Sequence, residues 1–448
     1  MLVADTDEPG LIERHFALAE RGTTVRTEVL AGSTTFLTMA YIIIVNPAIL
    51  SAAGMPVAAV AAATCFAAGL ASILMGLTAN VPLALAPGMG LNAYFAFTVV
   101  QGMGVPWPVA LGCVFLSGVA FLLLTFAGIR QLIIAAIPPQ LFAAVAGGIG
   151  LFIGLIGLKN AGIIVTSPAT LVTLGDLHAP GAALALFGLV ITAGLAAWKV
   201  RGAILIGIVA TTLAAWATGQ VVFKPEPYDL TAISQVAFHL DLAGVFGLSG
   251  SHGLGLFEIL FVFLFVDLFD NVGTLVGVTR RAGLIDEQGR IPRLNRILFT
   301  DAVASIAGSL AGTSTVTSYV ESAAGVQAGG RTGLTAVVTG VLFLLAMFVA
   351  PWAQLVPIAA TAPALVLVGG LMMAPLADVD WDDPEMAIPA FLTVAMIPFT
   401  FSIANGLAFG ITAYALIRLI RGKITAGDWL LLLLAGLFVI RFAWLAAG

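Results

Sequence analysis

The sequence predicts an all-α polytopic membrane protein with fourteen transmembrane segments arranged as a seven-plus-seven inverted repeat. Three observations predict it. Of 448 residues, 60% are hydrophobic and only 9% charged, whereas a soluble domain carries roughly 25% charged residues. The Lys and Arg residues sort to one side of the membrane when the apolar runs are counted as spans. The third run of each half is interrupted by residues that do not continue a helix.

Apolar runs long enough to enter a bilayer fall near 31–50, 57–78, 81–100, 106–128, 138–158, 181–198 and 203–223. After a polar stretch at 224–253, read as the main break, come 254–279, 295–312, 313–328, 332–351, 355–376, 385–403 and 405–420. A further run at 428–446 follows the fourteenth. With the N-terminus placed in the cytoplasm, 15 of the 18 Lys and Arg residues fall on the cytoplasmic side. They are Arg14, Arg21, Arg26, Arg130, Lys199, Arg201, the five between Arg280 and Arg296, Arg331, Arg418, Arg421 and Lys423. Lys159 and Lys224 are left outside, and Arg441 lies within the last run.

Segments 3 and 10 read as a short strand followed by a half-helix. In segment 3, Val81-Pro82-Leu83-Ala84-Leu85-Ala86-Pro87-Gly88 is extended chain ending in a Pro/Gly break, and Leu91-Asn92-Ala93-Tyr94-Phe95 opens a helix. In segment 10, Thr313-Ser314-Thr315-Val316-Thr317-Ser318 is hydroxyl-rich and largely β-branched, and a second half-helix opens at Tyr319-Val320-Glu321. Backbone that leaves the helix inside a membrane must be buried in protein or line a cavity. Two such segments at corresponding places point to an inverted-repeat transporter with its site between them.

Asp267 and Asp270, in Leu264-Phe265-Val266-Asp267-Leu268-Phe269-Asp270-Asn271, are the chemistry-bearing residues of segment 8. Three residues apart, they share a helical face, and ionisable groups at that depth mark a pathway or binding site by default. A structural pair bonding neighbouring helices is the bland alternative. Glu321 reads as a ligand carboxylate or as a helix-terminus residue favoured by the dipole, and Asn92 as a ligand amide or a helix cap. Asp301 in segment 9 could serve function or pair with Arg296. Glu28 and Glu258 lie near segment ends, where the interface is the expected place. The acidic run Asp378, Asp380, Asp382, Asp383 and Glu385 reads as a solvated loop.

Composition also narrows the classes. Cys65 and Cys113 are too few and isolated for a disulfide framework or metal cluster. The four histidines lie outside the apolar runs, which argues against an intramembrane histidine relay or Ser–His hydrolase. The two aspartates share one helix, unlike an intramembrane aspartyl protease. No enzyme activity, cofactor or metal is expected. With the first twenty residues polar, no cleavable signal peptide is expected. A net charge of −5 argues by itself neither for nor against nucleic acid, and no nucleic-acid partner is expected of a chain of this class.

Read together, Asn92, Asp267, Asp270 and Glu321 make the chain resemble the AzgA-type purine permeases of the nucleobase–ascorbate transporter superfamily. The resemblance runs from Gly22 to about Gly422. It rests on Thr23-Thr24-Val25-Arg26-Thr27-Glu28, Thr34-Thr35-Phe36-Leu37-Thr38-Met39-Ala40-Tyr41 and Ala86-Pro87-Gly88-Met89-Gly90-Leu91-Asn92-Ala93. Phe269-Asp270-Asn271-Val272-Gly273-Thr274, Tyr319 to Gly325 and Gly329 to Thr335 complete it. It implies a core domain from 1–128 and 254–351 (segments 1–4 and 8–11). The implied gate domain comprises 129–223 and 352–448 (segments 5–7, 12–14 and the C-terminal run). It further implies a homodimer formed through the gates, residence in the plasma (inner) membrane, and proton-coupled uptake of adenine, guanine or hypoxanthine.

Physical chemistry agrees with that expectation. Carboxylates accept from purine N–H groups, and an amide or backbone N–H donates to ring nitrogens and O6. Glu321 and Asp267 are the expected ligand carboxylates and Asn92 the ligand amide, with Phe95 or Phe269 covering the ring faces. Burial and a like-charged neighbour favour protonation, so Asp270 is the expected proton carrier, with Asp267 able to exchange roles with it. A transporter of another small solute or anion on the same fold is the alternative, and three buried acids speak against an anion.

Overall fold

The computed structural model describes residues 10–128, 137–221, 230–251, 253–284, 291 and 293–447. The first half holds α1 (Leu11–Phe16), α2 (Val25–Met39), α3 (Ile42–Ser51), α4 (Val57–Ala79), β1 (Leu85–Pro87) and α5 (Met89–Ala93). α5 runs on as a π-helix over Tyr94–Gly102. Then come α6 (Trp107–Phe126), α7 (Pro139–Asn160), β2 (Ile164–Ser167), β3 (Leu171–Leu174), α8 (Pro180–Ala197) and α9 (Ala203–Ala217). The second half holds α10 (Leu242–Ser251), α11 (Gly253–Arg281), α12 (Leu294–Ala311), β4 (Val316–Ser318), α13 (Ser322–Gln327) and α14 (Gly333–Ala346). It ends with α15 (Ile358–Met372), α16 (Pro384–Phe399), α17 (Ile403–Ile420) and α18 (Trp429–Ala447). Among the described residues, seven helices are long and apolar enough to cross a membrane, with α2 and α3 counted as one span. α9, α14, α16 and α18 are shorter apolar helices.

Glycine sets how closely the helices meet. A Cβ on Gly340 of α14 would lie 2.5 Å from the carbonyl oxygen of Gly69 on α4, and Gly333 meets Gly76 still more closely. The contacts run in opposite order along the two helices, so they are antiparallel. α7 and α15 repeat the device, with Gly150 against Gly369 and Gly157 against Val366. Small residues that let backbones approach replace the hydrophobic driving force that lipid removes.

Several elements depart from the sequence reading. The first segment is two helices, parted at Ala40 and Tyr41. The hydroxyls of Thr34 and Thr38 bond back to the carbonyls of Leu30 and of Thr34 and Thr35, a pattern that bends helices. The polar stretch 224–253 contains α10, capped by the Asp241 carboxylate, which accepts from the Gly244 N–H at 2.8 Å. Val245 of that helix packs on Gly112 of α6. The fold is also not purely helical: β2 and β3 form an exposed antiparallel hairpin between α7 and α8.

Two acids placed at the interface or in solvent are buried. Glu28, 0% exposed, accepts from the backbone N–H groups of Arg331, Thr332 and Thr335 and from the Thr335 hydroxyl. It thereby satisfies the start of α14, whose first N–H groups have no partner within the helix. Glu385 joins the start of α16 to the end of α17, 2.7 Å from both Arg421 and Lys423. Beyond α17, the Thr425 backbone N–H donates to Asp428 and holds that carboxyl below its usual range. Glu258 meets Arg441 of α18 at 2.5 Å, and Arg441 also donates to Asn405 at 3.0 Å. The C-terminal run is thus pinned to both α11 and α17.

Candidate functional site

The two broken segments pair with each other. β1 and β4 pair antiparallel, with Leu85 opposite Ser318, Ala86 opposite Thr317 and Pro87 opposite Val316. The ribbon extends through Gly88 N–H to Thr315 O at 2.9 Å and Tyr319 N–H to Ala84 O at 3.0 Å. Its outer edges are met by hydroxyls. Ser72 of α4 accepts from Leu85 N–H and donates to Leu85 O, while Ser305 of α12 donates to Val316 O. Irregular backbone at this depth is thus satisfied strand against strand and by one serine on each flank. α5 and α13 leave the ribbon through Gly88 and Glu321.

Glu321 is half-buried at the start of α13, and its carboxylate accepts from the Tyr41 hydroxyl at 2.5 Å. The break between α2 and α3 is what brings Tyr41 there. α13 is six residues long, and Glu321 stands at its N-cap. Asn92 lies fully buried in α5. It donates to Asn46 Oδ1 and accepts from the Ser314 hydroxyl. Asn46 in turn donates to the hydroxyls of Thr64 and Thr313. A buried polar chain therefore joins α3, α4, α5 and the approach to β4, and Asn92 keeps one N–H and one lone pair beyond it.

Asp267, 2% exposed, is the middle residue of the 29-residue α11. That helix packs against β4, α13 and α5, so the aspartate's helix touches both broken segments. One turn earlier, Phe263 meets Tyr94 edge to face at 5.3 Å between ring centroids. Phe95 is fully buried beside it. The side chains of Phe269 and Asp270 lie outside the described residues. Asp301 is fully buried in α12, with its neighbour Thr300 bonded to Thr78.

Several buried polar atoms are left unpaired, three of them in and just before β4. The hydroxyls of Thr315, Thr317, Ser318 and Tyr94, and both polar atoms of the Asn271 carboxamide, have no hydrogen-bond partner among the described residues. Each such group costs about 1–3 kcal/mol, and native proteins keep few of them. Tyr41, Asn46, Ser314 and Asn271 are the residues that sequence reasoning did not single out for the site. A polar signal was present for the two asparagines, each an amide within an apolar run.

A family model described as "Permease family" matches residues 26–409. The chain is 48% identical over 442 residues to the adenine permease AdeP of Escherichia coli (strain K12), covering 99% of this chain and 98% of that one. It is 42% identical over 430 residues to the guanine/hypoxanthine permease PbuO of Bacillus subtilis (strain 168), covering 95% and 99%. Among solved structures, the transmembrane domain of a cyanobacterium bicarbonate transporter, BicA, shares the fold. Its TM-score is 0.59 at 15% identity, over 89% of this chain and 97% of that one. A family model spanning most of the sequence and near end-to-end identity to curated permeases lead to one conclusion: the chain is a multi-pass membrane protein of the xanthine/uracil permease family, in the nucleobase–ascorbate transporter group, and a transporter rather than an enzyme.

Proposed function

We propose that the protein imports purine nucleobases by proton symport, with the site where β1 and β4 pair. The observation that carries this reading is a buried aspartate at the middle of α11, a helix packed against both broken segments, beside a β4 strand whose Thr317 and Ser318 hydroxyls are left unpaired among the described residues. Relatives named as adenine and guanine/hypoxanthine permeases supply the substrate class. Asp267 and Glu321 accept from purine N–H groups, and the remaining N–H of Asn92 donates to a ring acceptor. Phe95 and Phe269 flank the rings, and Asp270 or Asp267 carries the proton. The fold shared with a bicarbonate transporter keeps an anion as the second reading. Uptake of radiolabelled adenine, guanine, hypoxanthine and bicarbonate at two external pH values separates the two. Purine accumulation that rises at acid pH supports the proposal, and bicarbonate uptake without purine uptake overturns it.

The proposed transport unit is a fourteen-segment inverted repeat of core and gate, held as a homodimer through the gates in the plasma (inner) membrane, its N-terminus cytoplasmic. Helix packing supports the division: α4 packs on α12 and α14, whereas α7 packs on α15 and α16. Ser72 and Ser305, serving the two edges of the ribbon from α4 and α12, support the repeat. Cysteine labelling tests the orientation, because both native cysteines are buried. Leu171→Cys on the exposed hairpin is expected to label from outside, and Glu20→Cys only from inside. Labelling of both from one side would sink the arrangement.

A further inference from the structure

Asn271 is 0% exposed, and neither its Oδ1 nor its Nδ2 has a partner among the described residues. It lies four residues after Asp267, one turn along the same face of α11. Other buried amides of the site are treated differently. Asn46 and Asn92 bond to each other and to Thr64, Thr313 and Ser314. Leaving membrane-buried amides open is therefore not a habit of this fold, and a side chain that keeps both donor and acceptor open suits an occupant bearing the complementary pair.

We propose that Asn271 reads the C6/N7 edge of the purine and shifts the site's preference toward adenine; this rests on the purine reading of the site. A carboxamide presents a donor beside an acceptor. Along its C6/N7 edge adenine offers the amino N–H beside the N7 acceptor, so the amide closes two bonds. Guanine and hypoxanthine offer O6 and N7 there, two acceptors, so Nδ2 is met and Oδ1 stays unpaired. On the opposite edge, N1–H and O6 of the oxopurines also suit an amide. The acids remove that option: the N1–H of an oxopurine, joined in guanine by the amino N–H, is what an acceptor-only carboxylate binds. With Asp267 and Glu321 as carboxylates, the C6/N7 edge is left for Asn271.

The test is competition by adenine, guanine and hypoxanthine against labelled purine uptake, in wild type and Asn271→Leu, with thermal melting of both purified proteins without ligand. In wild type Asn271 is expected to favour adenine relative to the oxopurines. Asn271→Leu is expected to lose about tenfold of that preference over hypoxanthine, the loss of roughly one hydrogen bond to a polar group left unpaired. It should also melt no lower than wild type, because leucine removes a buried amide without unmaking a bond. An unchanged preference, an equal loss for all three purines, or a clearly lower melting temperature would overturn the assignment while leaving purine transport intact. Absence of purine uptake by wild type would instead remove the reading beneath it.

Discussion

Glu321→Gln is expected to weaken purine binding by tenfold or more while leaving the protein inserted and folded. The Tyr41 hydroxyl holds one carboxylate oxygen at 2.5 Å, and the amide oxygen of glutamine can keep accepting that bond. The second oxygen then becomes an NH2 group, which confronts a purine N–H donor to donor. A ligand N–H left without its acceptor costs about 1–3 kcal/mol, and more when the missing partner was charged. Each 1.4 kcal/mol is tenfold in affinity. Tyr41→Phe removes the hydroxyl that positions the acid but not the acceptor itself, so its loss should be smaller. Equilibrium binding of labelled purine to the purified variants measures both. Wild-type affinity in a correctly inserted Glu321→Gln protein would reduce Glu321 to a structural partner of Tyr41.

What was legible in the sequence is the interruption of two apolar segments and the acids beside them. Pro82, Pro87 and Gly88 cannot continue a helix, and the hydroxyl-rich run before Tyr319 prefers extended chain. That the two interruptions pair in register was not legible, because local chemistry says nothing about a partner more than two hundred residues away. The same distance hid Tyr41 from Glu321 and Glu28 from the start of α14. Glu28 stands near the end of an apolar run, where the interface is the default place for a carboxylate. Its burial becomes intelligible only once unpaired N–H groups at Thr332 and Thr335 are brought to it. Asn46 and Asn271 carry no charge, so neither stood out beside isoleucines or aspartates.

The pairing of Arg441 with Glu258 shows a different limit. A lone arginine in an apolar run reads as an anomaly of the topology count. In the structure it donates to Glu258 on α11 and to Asn405 on α17. An ion pair inside a membrane is tolerated when each charge has its partner, and here the partner lies 183 residues away. The run at 428–446 thereby acquires a reason to dock, which hydropathy alone did not provide.

Asp270→Asn is expected to abolish accumulation of purine against a gradient while sparing binding. If Asp270 carries the proton, asparagine imitates its protonated form permanently. The carrier can then bind purine and exchange it across the membrane, but the proton gradient no longer drives it. Binding should also lose the pH dependence that a titrating carboxylate confers. Asp267→Asn should act on recognition instead. Asp267 sits at the middle of α11, buried, on the helix that touches both broken segments. An amide there donates as well as accepts, which suits the ring acceptors of adenine better than the N–H donors of guanine. Adenine should therefore gain on guanine in that variant. Binding and concentrative uptake measured for both variants across about pH 5 to 8, a range spanning the protonation of buried carboxylates, separate the two roles. Concentrative, pH-dependent uptake by Asp270→Asn would move the proton to another acid. Asp267 would be the next to test, then Asp301, which α12 holds fully buried.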